Sequence, residues 1–398
     1  MSGSVICATI LHQAPDRGAA AAIVPVGLAW GAAVLALGSR IELRHWGWLL
    51  LAAALVRLPL VGTPPLLSDD LYRYLFEGLA LAAGHNPFTE APAGLPGLDD
   101  ALRAQVNHPE IPTVYPPLAL WWFRLLALAA TPTAVQGATA LLDLVVPPAL
   151  LIATRRAWPA WIYALHPLPA IEAACGGHID VPAIVAATVG VAAWRRGHRG
   201  GAWWALGLGG LLKLLPAVLL PALWRRLPRR QLQLVALLAL ATALALPVLP
   251  AGPALLQGAG AYASRWAFNG CVYPWLEPLG PAVRWPLVGL GASVGALALW
   301  RHTDPGEVWA LVGAAFVLLS PTVHPWYVLW ALVPSLLCGR RGWAWASLPL
   351  LGSYAVLLAY DPQTGQWAEA PWLWWITWPP ALLLLALAYR SEPSATAP

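Results

Sequence analysis

Five arginine clusters each close an apolar run, and that pattern limits what this chain can fold into. Arg40 with Arg44, Arg155 with Arg156, Arg195 and Arg196 with Arg199, Arg225 and Arg226 with Arg229 and Arg230, and Arg340 with Arg341 all end long apolar stretches. Basic residues concentrated in short loops mark the cytoplasmic side of a polytopic membrane protein. Composition agrees. Of 398 residues, 59% are hydrophobic and only 10% are charged, whereas a soluble domain carries roughly 25% charged residues. The expected fold class is therefore an all-α polytopic membrane protein, one transmembrane domain over residues 1–398. The 23 basic residues, all arginine except Lys213, give a net charge of +5. They read as topology signals, not as a nucleic-acid surface.

If all five clusters are cytoplasmic, the number of crossings between successive clusters is even. Between Arg44 and Arg155 lie the apolar runs 46–62, 118–130 and 135–153. The middle run is short for a span, which needs about 20 residues, and it contains Arg124. It is expected to lie along the outer surface as an interfacial helix, with Trp121, Trp122 and Phe123 at headgroup level. Residues 63–134 then form a first extracytoplasmic loop. Further on, 158–172 runs outward and 181–194 inward. The run 202–224, interrupted by Lys213 and Pro216, keeps parity only as two half-spans meeting near Lys213. Residues 250–284 form a second outer loop, and the total is about 11–13 crossings. The amino end, 1–18, has no clear place. Residues 4–11 are apolar but lack a charged lead, so a cleaved signal is not expected.

The same parity gathers a set of polar side chains on the outer face. It includes Asp69, Asp70, Arg73, His108, Glu110, Tyr115, His178 and Asp180, then Lys213, Arg265, Trp266, Asn269, His324, Trp326 and Tyr327. Taken singly, such residues are usually interfacial anchors. Their joint appearance on one side, from segments far apart in sequence, argues for a shared site. Asp69 and Asp70 stand out. Two adjacent carboxylates repel, so one holds its proton more tightly than a free Asp, which suits proton transfer. Ser68 and Asp69 ahead of a helical run are also a common helix start.

Other signals are weaker. Cys175 and Cys271 both fall near the outer face, but a disulfide is not expected, since free Cys is often a small buried apolar residue. No CxxC, HExxH, Walker loop or GxGxxG at a strand–helix junction occurs, which argues against a nucleotide-driven engine. Asp69, Asp70, His178 and Asp180 could meet a divalent metal, yet no ligand spacing enforces it, and no cofactor is expected to be required.

Several motifs together carry a resemblance. They are Ser68-Asp69-Asp70-Leu71-Tyr72-Arg73-Tyr74, Gly84-His85-Asn86-Pro87-Phe88, Asn107-His108-Pro109-Glu110 continuing to Leu118, and His166-Pro167-Leu168-Pro169. Gly177-His178-Ile179-Asp180, Lys213-Leu214-Leu215-Pro216, Trp266-Ala267-Phe268-Asn269-Gly270 and Ser320-Pro321-Thr322-Val323-His324-Pro325-Trp326-Tyr327 complete the set. Over residues 45–340 the chain resembles bacterial membrane glycosyltransferases of the C-type (GT-C) fold. It is most similar to polyprenol-phosphomannose-dependent mannosyltransferases, including glycosyltransferase family 87. The resemblance implies a first outer loop with interfacial helices and a catalytic Asp, a polyprenyl-phosphate sugar as donor, and an active site on the periplasmic or exterior face of a bacterial inner membrane. It maps the base to Asp70, with Tyr74 as the following aromatic. A swap of roles with Asp69 stays open. Phe76-Glu77 departs from relatives that carry an aromatic followed by Asp, which keeps a carboxylate but leaves the sugar open.

The chemistry follows. An acceptor hydroxyl must lose its proton as it attacks the anomeric carbon, and a positioned carboxylate can take it. The departing lipid phosphate gains charge that Lys213, Arg265, Arg73 or His324 could stabilise. Lys213 could equally be a snorkelling anchor. A single displacement inverts the centre, so a β-linked donor implies an α-mannoside. With no soluble domain to grip a protein, the expected acceptor is a glycolipid or lipid-linked glycan. The partners are these two substrates and membrane lipid, with no nucleic acid. A transporter or flippase of lipid-linked sugars is the alternative. It would call for paired broken helices in inverted repeats, and only 202–224 reads as broken. A scaffold without a site leaves the outward polar cluster unexplained.

Overall fold

The structure, a computed structural model, describes residues 3–38, 47–361 and 366–391. Arg40, Arg44 and Trp46 lie outside the described residues. The chain is an all-α polytopic membrane protein. Its only paired strands among the described residues are the two-residue pieces Tyr360–Asp361 and Gln366–Trp367.

Among the described residues, five helices are long and apolar enough to cross a bilayer: Arg17–Leu37, Pro132–Thr154, Pro281–Arg301, Gly342–Ala359 and Pro371–Arg390. Their apolar side chains outnumber what the core can hold. Trp285, Val288, Leu290 and Leu297, for example, remain exposed along one such helix, as a lipid-facing surface requires. Shorter apolar helices cover Leu49–Leu60, Pro305–Leu319 and Pro325–Leu337. Proline breaks several of the apolar runs that entered the expected count of about 11–13. The run 158–172 is two helices, Ala157–Leu165 and Pro167–Ala174, parted at His166, whose Nδ1 accepts the Leu168 N–H.

The amino end finds its place. Asp16 caps the short helix Arg17–Ala20 by accepting the Ala19 N–H at 2.8 Å. This starts the first candidate span and sets Arg17 beside the loop over residues 63–134.

That loop is built on two helices. Asp70–Ala82 buries Leu71, Tyr74, Leu75 and Phe76 and packs against Pro117–Leu126, which buries Leu120 and Phe123. The helices approach so closely at Gly78 that an added Cβ would meet the Phe123 carbonyl oxygen at 2.3 Å. With ten residues, the second helix is too short to span. Its Trp121 Nε1 donates to the Leu244 carbonyl.

The stretch expected as a second outer loop is partly helical. The helix Arg230–Ala245 bends by 99° into a segment spanning Leu249–Arg265, where Pro250 and Pro253 interrupt the ladder. The bend lays Gly258 on the first loop, where a Cβ would meet the Thr113 carbonyl oxygen at 2.2 Å. The segments 63–134 and 250–284 thereby meet in direct contact.

The chain also breaks at Lys213. Helix Arg199–Leu212 stops there, and Leu215–Leu219 and Leu220–Trp224 follow as a 3-10 turn and a short helix. Gly210 permits the tight return: its Cβ would lie 2.8 Å from Ala217 Cβ.

Candidate active site

Asp70 opens the helix Asp70–Ala82, and its N–H donates to Ser68 Oγ at 3.3 Å. Asp69 occupies the N-cap position without capping. Its carboxylate instead accepts from Arg17 Nη2 at 3.0 Å and from Asn107 Nδ2 at 2.7 Å. The same amide donates to Asp70 Oδ1 at 2.9 Å. Asp69 thus has a cation of its own and Asp70 has none in contact. Burial, and next the Asp69 charge, push the Asp70 carboxyl up to about 6, against smaller downward pulls from Asn107, Lys213 and Arg73. A carboxylate in that range accepts a proton near neutral pH without being locked as the anion.

Arg73 holds the loop in shape. Its Nε donates to Glu77 at 2.8 Å, and its Nη atoms donate to the carbonyls of Asn107, His108 and Ile111. Thr113 Oγ1 donates to the other Glu77 oxygen at 2.6 Å. Arg73 lines the cavity but is fully engaged. His108, one of the residues in this clamp, has a left-handed backbone, φ 45°, and its ring meets Trp266 edge-on at 4.6 Å.

Across the cavity, the break at Lys213 points its ammonium inward. Nζ lies 2.6 Å from Asp180 Oδ2 and 4.8 Å from the centre of the Tyr327 ring. Asp180 is 1% exposed and also accepts from Trp330 Nε1 at 2.6 Å. Tyr327 shares a 2.6 Å hydroxyl contact with Tyr262. His324 stacks on Trp326 at 4.3 Å and on Phe268 at 4.8 Å. Burial, with Lys213 adding to it, takes the His324 imidazole down to about 3, so it offers a neutral ring, not a cation.

These groups share one cavity of about 970 Å³. Asp69, Asp70, Arg73, Tyr74, His108, Tyr115, Asp180, Lys213, Trp266, His324, Trp326 and Tyr327 all line it. Tyr74 is anchored by stacking on Phe123 at 4.5 Å. Three predicted residues do not line it. Arg265 ends its helix pointing to the surface and is exposed. Asn269 is 1% exposed and structural, with its N–H on Glu369, its Oδ1 accepting from Thr377 and its carbonyl from Trp378. His178 is wholly buried behind Asp70, stacked on Trp326 at 3.9 Å. Sequence reasoning missed Arg17, Asn107 and Tyr262. Asn107 sat inside a quoted motif, while Arg17 and Tyr262 carried no local signal.

All four cysteines are free thiols. Among the described residues, no group of three or more His, Cys, Asp or Glu side chains is placed to hold a metal ion. Residues 3–229, more than half of the chain, match the family described as MptA_B family, alpha-(1->6)-mannopyranosyltransferase, N-terminal domain. No curated protein and no solved structure matched.

Proposed function

The chain belongs to the MptA_B family of alpha-(1->6)-mannopyranosyltransferases, and from that premise we propose that it takes mannose from a polyprenyl-phosphate donor. The acceptor is a glycolipid or lipid-linked glycan, and the reaction runs at the extracytoplasmic face of a bacterial inner membrane. The observation that carries this reading is a cavity that sets a carboxylate with a raised affinity for protons opposite a lysine at a helix break.

Asp70 is the base. Asp69, paired with Arg17, lies beside it and makes its proton uptake easier. In a 1→6 linkage the attacking group is a primary hydroxyl. As its oxygen forms the new bond to the anomeric carbon, its proton moves to Asp70 and the bond to the phosphate oxygen breaks. One displacement inverts the centre. Lys213 and Tyr327 face the position where the leaving phosphate collects charge, with Lys213 exchanging Asp180 for phosphate oxygen. Tyr74, Tyr115, Trp266 and Trp326 offer the aromatic and hydroxyl surface that a sugar ring needs. Arg265 and Asn269 have no part in this reading.

The test is transfer of radiolabelled mannose from a short-chain polyprenyl phosphate in detergent. Transfer that needs no sealed vesicle is expected and separates this reading from a flippase. Loss of signal with every polyprenyl-phosphate mannose tried would overturn the donor assignment.

A further inference from the structure

His178 is the least explained group near the cavity. Its side chain has no exposure, yet neither ring nitrogen has a hydrogen bond. Buried polar atoms left so are rare and costly. The ring lies between two carboxylates. Nδ1 is 3.7 Å from Asp70 Oδ2, and Nε2 is 3.3 Å from Glu172 Oε2. Glu172 is itself buried, and both its oxygens take the Tyr354 hydroxyl, at 2.9 and 3.0 Å.

The local sequence is shaped to put the ring there. A Cβ on Gly176 would meet His178 Cδ2 at 2.4 Å, and Gly177 has φ +63° with Val135 2.9 Å from where its Cβ would be. The His178 N–H donates to the Glu172 carbonyl. Gln136, which is wholly buried, ties this turn to the first loop by donating to the carbonyls of Thr63 and Cys175. Trp326 closes the remaining face.

We propose that His178, oriented by Glu172, is a positioning residue whose Nδ1 accepts a hydrogen bond from Asp70 once Asp70 has taken the acceptor's proton. This rests on Asp70 being the base. Nε2 faces Glu172 at 3.3 Å, and a proton carried on that nitrogen leaves Nδ1 as a bare lone pair aimed at Asp70. In the resting state that lone pair faces a carboxylate oxygen, and two acceptors do not close to a hydrogen bond. The 3.7 Å gap is the resting distance. Once Asp70 has taken the hydroxyl proton, its O–H can donate to Nδ1, and the neutral ring holds the protonated acid in place. After product leaves, Asp70 gives the proton to water in the open cavity, and no net charge is left behind.

The other charged or titratable groups facing the ring are Lys213 from the helix break and His324 ahead of the turn Pro325–Val328. Lys213 is paired with Asp180, two residues along from His178. Both oppose an imidazolium, so the ring stays neutral and its lone pair stays free to accept a hydrogen bond.

The first measurement needs no substrate. ¹⁵N NMR of histidine-labelled protein in nanodiscs, with His178 assigned by its loss in His178→Asn, should show a neutral ring protonated at Nε2. A ring protonated at Nδ1, or a resting imidazolium, would overturn the proposal. Because this uses the parent protein alone, it stands even if polyprenyl-phosphate mannose proves to be the wrong donor. The second measurement is the rate against pH. Without His178 the protonated form of Asp70 loses its partner, so the acid limb moves to lower pH. The maximal rate should fall by about a hundredfold with an unchanged donor KM. Glu172→Gln should move the limb in the same direction by less. A rate loss with the limb unmoved in both variants would mean a packing role only.

Discussion

Asp69 and Asp70 hang on the same amide nitrogen: Asn107 Nδ2 donates to one at 2.7 Å and to the other at 2.9 Å. The pair is therefore held as a unit but is not symmetric, because Arg17 reaches only Asp69. Asp70→Asn should abolish transfer and leave donor binding intact. Asp69→Asn and Arg17→Met should each leave measurable activity. Full turnover by the Asp70 variant in the radiolabel assay would remove Asp70 from the base position.

The raised affinity of Asp70 for its proton has a cost in stability. A carboxyl at about 6 in the folded protein and near 3.9 in the unfolded chain binds more protons when folded between those values. Stability therefore falls as pH rises from about 4 to 6 and is flat above. Asp70→Asn removes that cost and should stabilise the protein at pH 7 by about 1–3 kcal/mol. The melting temperature in detergent reads this. A variant that melts lower than the parent at pH 7 and level with it at pH 4 would contradict it.

Activity should follow the same group. The maximal rate should halve near pH 6 and fall about tenfold per unit below, as the carboxylate is protonated. A flat profile down to pH 4.5 would show that another group takes the proton.

Lys213 cannot be judged by a single substitution. Lys213→Met leaves Asp180, 1% exposed, without its cation. Breaking a buried pair costs roughly 3–5 kcal/mol when one charge is stranded, and the partial exposure of Lys213 lowers that here. The double variant Lys213→Met with Asp180→Asn should recover most of the stability and none of the donor affinity. Parent-like donor KM in the double variant would assign the phosphate to other groups.

Gly78→Ala should be far more damaging than its position on a helix suggests. The new methyl would press on the Phe123 carbonyl and Arg124 nitrogen, which are backbone and cannot rotate away. Overpacking of this kind costs about 1–3 kcal/mol, and the displaced helix carries Asp70 with it. Loss of transfer with retained expression is the expected result.

Much of the site was legible in the sequence because its pieces are short motifs with chemistry in them: the Asp pair, the break at Lys213, and the Pro-flanked His324. The Lys213 break could be seen because parity demanded it and Pro216 supplied it. Arg17 could not, since nothing in an apolar amino end says that its one cation will meet Asp69 from 52 positions away. His178 and Asn269 were expected among the site residues and do not line the cavity, for a related reason. Polar residues near a membrane edge look alike in sequence whether they face a cavity or, like Asn269, tie a loop to a distant helix. Helix count was the least legible quantity, because a proline inside an apolar run does not say whether the run bends or stops.

Every arginine and lysine that lines the cavity rests on a carboxylate of the same chain: Arg17 on Asp69, Arg73 on Glu77, Lys213 on Asp180. A bilayer surrounds such a cavity with anionic headgroups at high local concentration, and bare cations would collect them. Internal pairing sets a threshold instead. A plain phospholipid phosphate must displace a carboxylate already in contact and gains little, since one charged hydrogen bond of roughly 1.5–3 kcal/mol merely replaces another. A ligand with further contacts, from its sugar and its chain, can cross that threshold. The cavity thus discriminates against the solvent it lives in by keeping its own charges occupied until the right visitor arrives.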